Sequence, residues 1–279
     1  MRTALRPHTG TATVVGLTGP PGAGKSSLIA AMVTALRSRD TRVAVVAVDP
    51  SSPISGGAVL GDRTRMVMHT VDDGVFIRAV ASRGQPGGLA RAVPSLVDAL
   101  DAAGWPVILL ETVGAGQSDT EIAEIADVTV LVSVPGLGDD LHAIKAGMLE
   151  LADVLVVNKC DLPGAENTAR QLERAIRFRT PNAARPPVIR TSATDATGID
   201  ALLDAVKGTV RADGQRLRTR RELLHAVEAE FSRRLRQIPL DEECAAVRAG
   251  RRQIDEIVTE LLAPLNCPLS GESPDRSDA

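Results

Sequence analysis

Residues 13–210 alternate short apolar runs with longer stretches that have helical spacing. The apolar runs cover residues 13–18, 43–48, 75–80, 107–110, 128–134, 154–157 and 187–189. Most are continuous, which is typical of strands buried on both faces of a parallel sheet. The helix-compatible segments are 26–38, 88–103, 139–151, 166–179 and 199–210. This alternation predicts right-handed βαβ crossovers and a doubly wound, mostly parallel α/β sheet with ligand sites at the carboxyl ends of its strands.

The pattern changes after about residue 213. Segments 216–236 and 241–262 carry apolar residues at helical spacing with no strand between them, which predicts two helices joined through Pro239. We therefore expect an α/β domain over 1–213 with a short lead over 1–12. A C-terminal helical arm over 214–265 and a flexible tail over 266–279 should follow it.

Composition narrows the class of protein. The chain is 44% hydrophobic with three Phe, one Trp and no Tyr, so its core must be aliphatic. Four aromatic side chains are few for stacking on bases, and this scarcity and the net charge of -3 argue against nucleic-acid binding. Three scattered cysteines without a CxxC pair suit a reducing cytoplasm, and the apolar runs are too short to insert in a membrane.

One motif carries a specific chemistry. The string GPPGAGKS at 19–26 matches GxxxxGK[ST] and stands directly between a strand and a helix, as a Walker A loop does. Its glycines let backbone N–H groups surround a phosphate, Lys25 supplies a charge to the β/γ-phosphates, and Ser26 offers a hydroxyl to magnesium. The predicted phosphate contacts are Gly19, Gly22, Ala23, Gly24, Lys25, Ser26 and Ser27.

Three carboxylates are candidates to complete a magnesium site with Ser26. Asp49 and Glu111 each end an apolar run, and Asp62 lies in the loop between them in the sequence. Magnesium prefers hard oxygen ligands, and carboxylates at neighbouring strand ends can hold it directly or through water and position an attacking water. The alternative is that any of the three is a surface turn carboxylate or a helix cap.

A second motif indicates which base is bound. Asn158-Lys159-Cys160-Asp161 follows a buried strand as an NKxD box. Asp161 can accept from both the ring N–H and the exocyclic amine of guanine, while Lys159 lies along the base and Asn158 ties this loop to the phosphate loop. Backbone N–H groups near Ser192, Ala193 and Thr194 are placed to meet the guanine oxygen. The cofactors predicted are GTP or GDP and Mg²⁺.

Two glycine-rich segments have the character of switches. ETVGAGQS at 111–118 can approach the γ-phosphate and rearrange when it leaves, and it contains Gln117. PGLGDD at 135–140 leads to Lys145, for which an exposed salt-bridging lysine is the alternative reading. The candidate catalytic residues are Lys25, Asp62, Glu111, Gln117 and Lys145.

The order of motifs resembles the MeaB/ArgK-type GTPases. The matching strings are GPPGAGKSS, VAVDPSSPISGGAVLGDRTRM, ETVGAGQSD, VPGLGDDLHAIKAGMLELADVLVVNKCD and TSAT. The resemblance implies that Asp49, Asp62 and Glu111 serve magnesium and hydrolysis, and that Lys145 acts when a partner organises the site. It further implies a GTP-hydrolysing chaperone of an adenosylcobalamin-dependent acyl-CoA mutase, such as methylmalonyl-CoA mutase. Such a protein gates cofactor loading, protects or reactivates the mutase, and is usually a homodimer joined through its C-terminal arm.

Two other functions remain as alternatives. A metallochaperone that delivers nickel or zinc would need thiolate or imidazole ligands near the nucleotide, whereas His8, His69, His142 and His225 are scattered. An ATP-dependent, transport-associated kinase is disfavoured by the NKxD box.

Overall fold

The computed structural model of the chain describes residues 5–49, 71–81, 88–112, 122–123, 125–136, 146–179, 185–210 and 214–262. Its strands are β1 (Thr13–Thr18), β2 (Val43–Asp49), β3 (Val75–Ala81), β4 (Val107–Thr112), β5 (Val128–Ser133), β6 (Val154–Val157) and β7 (Val188–Arg190). Its helices are α1 (Lys25–Ser38), α2 (Gly88–Ala102), α3 (Ala146–Leu151), α4 (Ala165–Arg179), α5 (Ile199–Thr209), α6 (Gly214–Leu235), α7 (Asp241–Arg248) and α8 (Ile254–Leu262). Each of the seven predicted strands is confirmed to within about two residues.

The strands form one sheet in the order β3-β2-β4-β1-β5-β6-β7, and every pairing between them is parallel. The predicted doubly wound fold is confirmed, and the described sheet is wholly rather than mostly parallel. From β1 the chain moves outward to β2 and β3, returns to β4, and then builds β5, β6 and β7 on the other side. The direction of winding therefore reverses beside β1, which is where ligands bind in doubly wound sheets.

Aliphatic side chains fill both faces of the sheet. On one face α1 and α5 pack on alternate strand residues through Leu28, Met32 and Leu202. On the other face α2 covers the half of the sheet around β2 and β4, while α3 and α4 cover β5 and β6. Because β1, β4, β5 and β6 are almost wholly buried, their continuous apolar sequences follow from burial on two sides.

Two carboxylates hold the amino end of β1, the central strand of the sheet. Asp101 is 2% exposed and accepts from the backbone N–H groups of Gly10, Thr11 and Ala12 at 2.6, 3.2 and 2.9 Å, which secures the approach to β1. Asp127 accepts from the N–H of Val14 at 2.9 Å. These bonds satisfy backbone donors that the sheet ladder leaves open, so the amino end of β1 is fixed by residues distant in sequence.

The C-terminal segment differs from the expectation. The sequence predicts one helix over 241–262, and that prediction is wrong because Gly250 adopts a left-handed φ of 66° and ends α7. Its N–H bonds to the carbonyl of Val247, and the N–H of Arg251 bonds to that of Ala246, as at a glycine-terminated helix. The predicted helix over 139–151 is described only from Ala146, since its earlier part lies outside the described residues.

The chain divides into two compact units, Met1–Arg221 and Glu222–Ala279. The first contains the sheet. The second consists, in its described part, of most of α6 with α7 and α8. The division falls within α6, and our boundary at 213 stays a prediction. Among the described helices, none combines the length and the apolarity needed to cross a bilayer.

Candidate nucleotide site

The phosphate loop, residues 19–26, lies between the end of β1 and the start of α1, at the reversal in the sheet. Gly19, Gly22 and Gly24 have φ values of 145°, 78° and 81°, conformations that other residues adopt at a cost. A side chain at Gly19 would collide with the carbonyl of Val132 on β5. The glycines therefore let the loop turn back closely above the sheet, with α1 beginning at Lys25.

The Lys25 ammonium is folded into this loop. Its Nζ donates to the carbonyls of Gly19 at 2.8 Å and Pro20 at 3.1 Å, and the residue is 6% exposed. A buried ammonium is tolerated only where oxygen atoms surround it, and here the loop's own carbonyls supply them. Phosphate oxygens could take the place of these carbonyls, which is the behaviour expected of a phosphate-binding lysine.

Ser26 and Glu111, two of the predicted magnesium ligands, are in contact. The Ser26 hydroxyl donates to Oε1 of Glu111 at 2.6 Å, and the residues are 5% and 4% exposed. Glu111 pairs with Leu17 of β1 and Ala47 of β2, because β4 lies between these two strands in the sheet. The donor set of a hydroxyl and a carboxylate fits Mg²⁺, which prefers hard oxygen ligands.

The other acidic and switch candidates are described only in part. The backbone places Asp49 at the end of β2, two residues beyond the partner of Glu111, and its side chain lies outside the described set. Asp62, Gln117 and Lys145 also lie outside the described residues, so their predicted roles stay predictions. In the described part of the chain no group of three or more His, Cys, Asp and Glu side chains forms a metal cluster.

Asn158 links the NKxD box to the phosphate loop, as the sequence predicts. Its Nδ2 donates to the carbonyl of Ala23 at 2.9 Å, and its Oδ1 accepts from the hydroxyl of Thr191 at 3.2 Å. Asn158 and Thr191 are 1% and 0% exposed. A side chain at Gly24 would lie 2.6 Å from Asn158 Nδ2, so glycine at this position permits the contact.

Lys159 makes a second connection between the same loops. Its backbone has a positive φ of 55°, and its Nζ donates to the carbonyl of Gly22 at 3.0 Å. The aliphatic part of the side chain thus spans from the NKxD box to the phosphate loop. Asp161, two residues on, is exposed to solvent, as a carboxylate that receives a base must be.

The 191–198 loop, which joins β7 to α5, lies against the NKxD box. The N–H of Cys160 donates to the carbonyl of Thr191 at 2.9 Å. Within the loop, the N–H of Ser192 donates to the carbonyl of Thr197 at 3.0 Å, so it is already engaged. The other two predicted contacts to the guanine oxygen are Ala193 and Thr194, and in the described structure neither of their N–H groups donates to another backbone carbonyl.

Cys160 and Asp195 are the groups of this region with displaced pKa values. Burial raises the pKa of the Cys160 thiol, with added repulsion from Asp161 and Asp195, which keeps the thiol neutral. The pKa of Asp195 is lowered by a hydrogen bond from the Ser192 hydroxyl and by further bonds from its own N–H, Thr197 and Thr194. Our sequence reasoning missed Asp195 and the hydroxyl bond from Thr191 to Asn158. The density of Ser, Thr and Asp in TSATDATG is the signal that could have indicated them.

Comparisons with known proteins show the family of the chain. The family model described as "Methylmalonyl Co-A mutase-associated GTPase MeaB" matches residues 1–238. A Pyrococcus abyssi protein whose name describes it as a GTPase is 49% identical over 207 residues, which are 73% of this chain and 64% of that protein. The chain therefore spans less than two thirds of that relative.

A second relative and a solved structure extend over more of the chain. GTPase ArgK of Escherichia coli is 36% identical over 280 residues, covering 91% of this chain and 85% of that protein. The solved structure of an LAO/AO transport system kinase superposes with a TM-score of 0.71 at 28% identity, covering 95% of this chain and 85% of that chain. Because this family model matches 238 of the 279 residues, the chain belongs to the MeaB family.

Proposed function

We propose that the protein binds and hydrolyses GTP and couples hydrolysis to an adenosylcobalamin-dependent acyl-CoA mutase as that enzyme's chaperone. The observation that carries the nucleotide part is the Asn158 bridge, which ties the NKxD box to the phosphate loop at 2.9 Å. The NKxD box would hold the base and the phosphate loop would hold the phosphates, and the Asn158 hydrogen bond connects the two loops. The family description supports the mutase as partner.

Different residues would bind the phosphates, hold the metal ion and orient the attacking water. Lys25 and the N–H groups of the phosphate loop bind the β- and γ-phosphates, and the low exposure of Lys25 excludes water from its ammonium. Ser26, Glu111, Asp49 and Asp62 would hold Mg²⁺, which supplies neutralisation of charge on the phosphate oxygens. Glu111, Gln117 and Lys145 are the candidates for orienting the attacking water and stabilising charge at the γ-phosphate.

The base preference is tested by nucleotide affinity. We expect wild type to prefer GTP over ATP, and Asp161→Asn to weaken GTP by about 2–4 kcal/mol because charge-assisted bonds to guanine are lost. Lys25→Ala should abolish tight binding of either nucleotide. Asp204→Asn, an exposed carboxylate on α5, is the matched control. An unchanged preference in Asp161→Asn contradicts the assignment of guanine.

The chaperone role is tested by the GTPase rate with and without a purified cobalamin-dependent mutase. We expect the mutase to raise the rate, and Lys145→Ala to lower the mutase-stimulated rate more than the basal rate. Lys207→Ala, an exposed lysine on α5, is the control. If no mutase changes the rate and none co-purifies in either nucleotide state, the coupling is refuted, and GTP hydrolysis alone remains.

We also propose a homodimer joined through the C-terminal arm. In α6 the side chains of Leu224 and Val227 are 53% and 65% exposed at helical spacing, and Phe231 continues the same stripe. An apolar stripe of this kind is typical of an interface. Sedimentation of wild type and Val227→Glu tests this proposal, since a charge on the stripe should give monomers. A monomeric wild type contradicts it.

A transport-associated kinase is the alternative suggested by the solved neighbour, which is described as a transport system kinase. It differs from our proposal in one observable, because it must transfer the γ-phosphate to a protein hydroxyl. Labelled γ-phosphate recovered wholly as inorganic phosphate supports hydrolysis, whereas label on a protein supports the kinase.

A further inference from the structure

Gly16, in the middle of β1, leaves room for a close contact with a later part of the chain. A Cβ built on Gly16 would collide with Cγ2 of Ile122 and would lie 3.0 Å from the Cβ of Ala126. Both Ile122 and Ala126 are buried, and they pack in the same core cluster as Val14 of β1. Glycine at this position therefore lets the chain around Ile122 lie directly on the backbone of β1.

Hydrogen bonds hold the same part of the chain on β1. We call the described residues between Ile122 and Asp127 the return segment. The N–H of Asp127 donates to the carbonyl of Val14 at 2.8 Å, and the N–H of Val14 donates to the Asp127 carboxylate at 2.9 Å. The N–H of Ala126 donates to the carbonyl of Ile122 at 2.9 Å, as in a helical turn. Packing at Gly16 and reciprocal bonds at Val14 thus fix the return segment independently.

The return segment ends the connection that leaves β4. This strand ends at Thr112, and residues 113–121, which include Gln117, lie outside the described residues. One end of the connection is fixed to β1 because β4 and β1 are paired in the sheet. The other end is fixed to β1 at Gly16 and Val14. A chain whose two ends are both fixed has fewer conformations than a chain fixed at one end.

We infer that Gly16 is a positioning residue for GTP hydrolysis: its lack of a side chain seats the return segment on β1 and so sets where the connection that carries Gln117 ends. This inference rests on the proposed GTP hydrolysis and on the predicted role of Gln117. A methyl group at Gly16 must displace the return segment, because Ile122 is fully buried and β-branched, with few alternative rotamers. A displacement of about 1 Å at a reacting group can cost about a hundredfold in rate.

Gly16→Ala tests the inference by separating the rate of hydrolysis from nucleotide binding. We expect kcat for GTP hydrolysis to fall about tenfold or more, and the Kd for GDP to stay within about twofold of wild type. GDP lacks the γ-phosphate at which Gln117 is predicted to act, so its affinity should not depend on this seat. Gly208→Ala adds the same methyl group in α5, where nothing lies within 4 Å, and should change neither quantity.

Ile122→Leu supplies a rescue experiment. Leucine carries one carbon on Cβ, so it can leave the position of Cγ2 empty while it keeps the side-chain volume. We expect this second substitution to restore most of the rate in Gly16→Ala, and Ile122→Leu alone to stay close to wild type. A folded Gly16→Ala with the wild-type kcat would overturn the inference. Equal losses in kcat and GDP affinity, or the absence of rescue, would overturn it as well.

Should Gly16→Ala fail to fold, Asp127→Ala loosens the return segment through its other contact. We expect this variant to lower kcat more than GDP affinity. Asp153→Ala is the matched control, because Asp153 makes the same reciprocal pair of bonds, both 2.9 Å, with Thr129 of β5. A similar loss of kcat in Asp153→Ala would mean that loosened strand pairing in general slows hydrolysis, and the inference would fail. An unchanged kcat in Asp127→Ala would also overturn it.

Failure of the proposed function has a different signature. A wild type that hydrolyses no GTP refutes the proposed GTP hydrolysis, and the role of Gly16 falls with it. A wild type that hydrolyses GTP, together with a folded Gly16→Ala of unchanged kcat, refutes only the role of Gly16.

Discussion

Ser26 and Glu111 are joined by a 2.6 Å hydrogen bond that connects the first turn of α1 to the end of β4. Both residues are buried, and the short distance is typical of a hydroxyl that donates to a carboxylate. Because β4 leads directly into the segment that contains Gln117, this bond places the phosphate loop and the start of a predicted switch in contact. A metal ion bound at Ser26 would therefore also lie next to Glu111.

Ser26→Ala should selectively reduce the contribution of Mg²⁺ to nucleotide affinity. The variant loses a hydroxyl ligand, and we expect about a tenfold to hundredfold loss of GTP affinity with Mg²⁺ and little change in EDTA. Titration calorimetry with and without the metal measures the difference. Ser38→Ala, an exposed serine on α1 that bonds only locally to the Ala35 carbonyl, is the control. Equal losses with and without Mg²⁺ would show that Ser26 supports the fold rather than the ion.

Gly24→Ala and Gly22→Ala should differ although both replace a glycine with positive φ. Each pays for the left-handed backbone, about 1–2 kcal/mol. Only at Gly24 does the new Cβ meet another group, Asn158 Nδ2 at 2.6 Å, whereas the space at Gly22 is open. We expect Gly24→Ala to lower the free energy of unfolding of the nucleotide-free protein more than Gly22→Ala does. Equal destabilisation in urea denaturation would contradict the close contact.

Asn158→Ala should damage both stability and binding. The substitution leaves the Thr191 hydroxyl and the Ala23 carbonyl without their partner in a buried place, which costs about 1–3 kcal/mol. We also expect GTP affinity to fall, since the phosphate loop loses its tie to the NKxD box. Asn167→Ala, an exposed asparagine on α4, should change neither the unfolding midpoint nor the affinity. Full affinity in Asn158→Ala would show that the two loops are independent.

The sequence predicts the sheet well because burial on both faces of parallel strands requires continuous apolar runs such as 43–48. The sequence predicts the phosphate loop and the contact of Asn158 for a different reason. The strings GPPGAGKS and NKCD are typical of a phosphate-binding loop and a base-binding loop. The break at Gly250 was missed because apolar spacing continues across it on both sides. Asp101 was missed because a carboxylate whose donors lie some 90 residues away leaves no periodic pattern.

Glu230 gives α6 a pH dependence that can be measured. Its carboxylate accepts from Arg233 at 2.7 Å and from Arg234 at 2.8 Å, and these bonds lower its pKa from 4.5 to about 2. A lowered pKa in the folded state means that ionised Glu230 stabilises the helix. The contribution is fully present above about pH 4.5 and is lost as the pH falls toward 2. Because all three side chains are exposed, the effect is small and decreases with salt.

Glu230→Gln removes this contribution and separates it from other acid effects. At pH 7 we expect faster hydrogen exchange in α6 of the variant than of wild type, with rates corrected for the intrinsic effect of pH. The difference between the two proteins should shrink between pH 4.5 and pH 3, because wild-type Glu230 then gains less from being ionised in the helix. Glu228→Gln, an exposed neighbour on the same helix, is the control for loss of a charge alone. A difference that stays constant down to pH 3, or that is matched by Glu228→Gln, would show that the bonds to Arg233 and Arg234 do not stabilise α6.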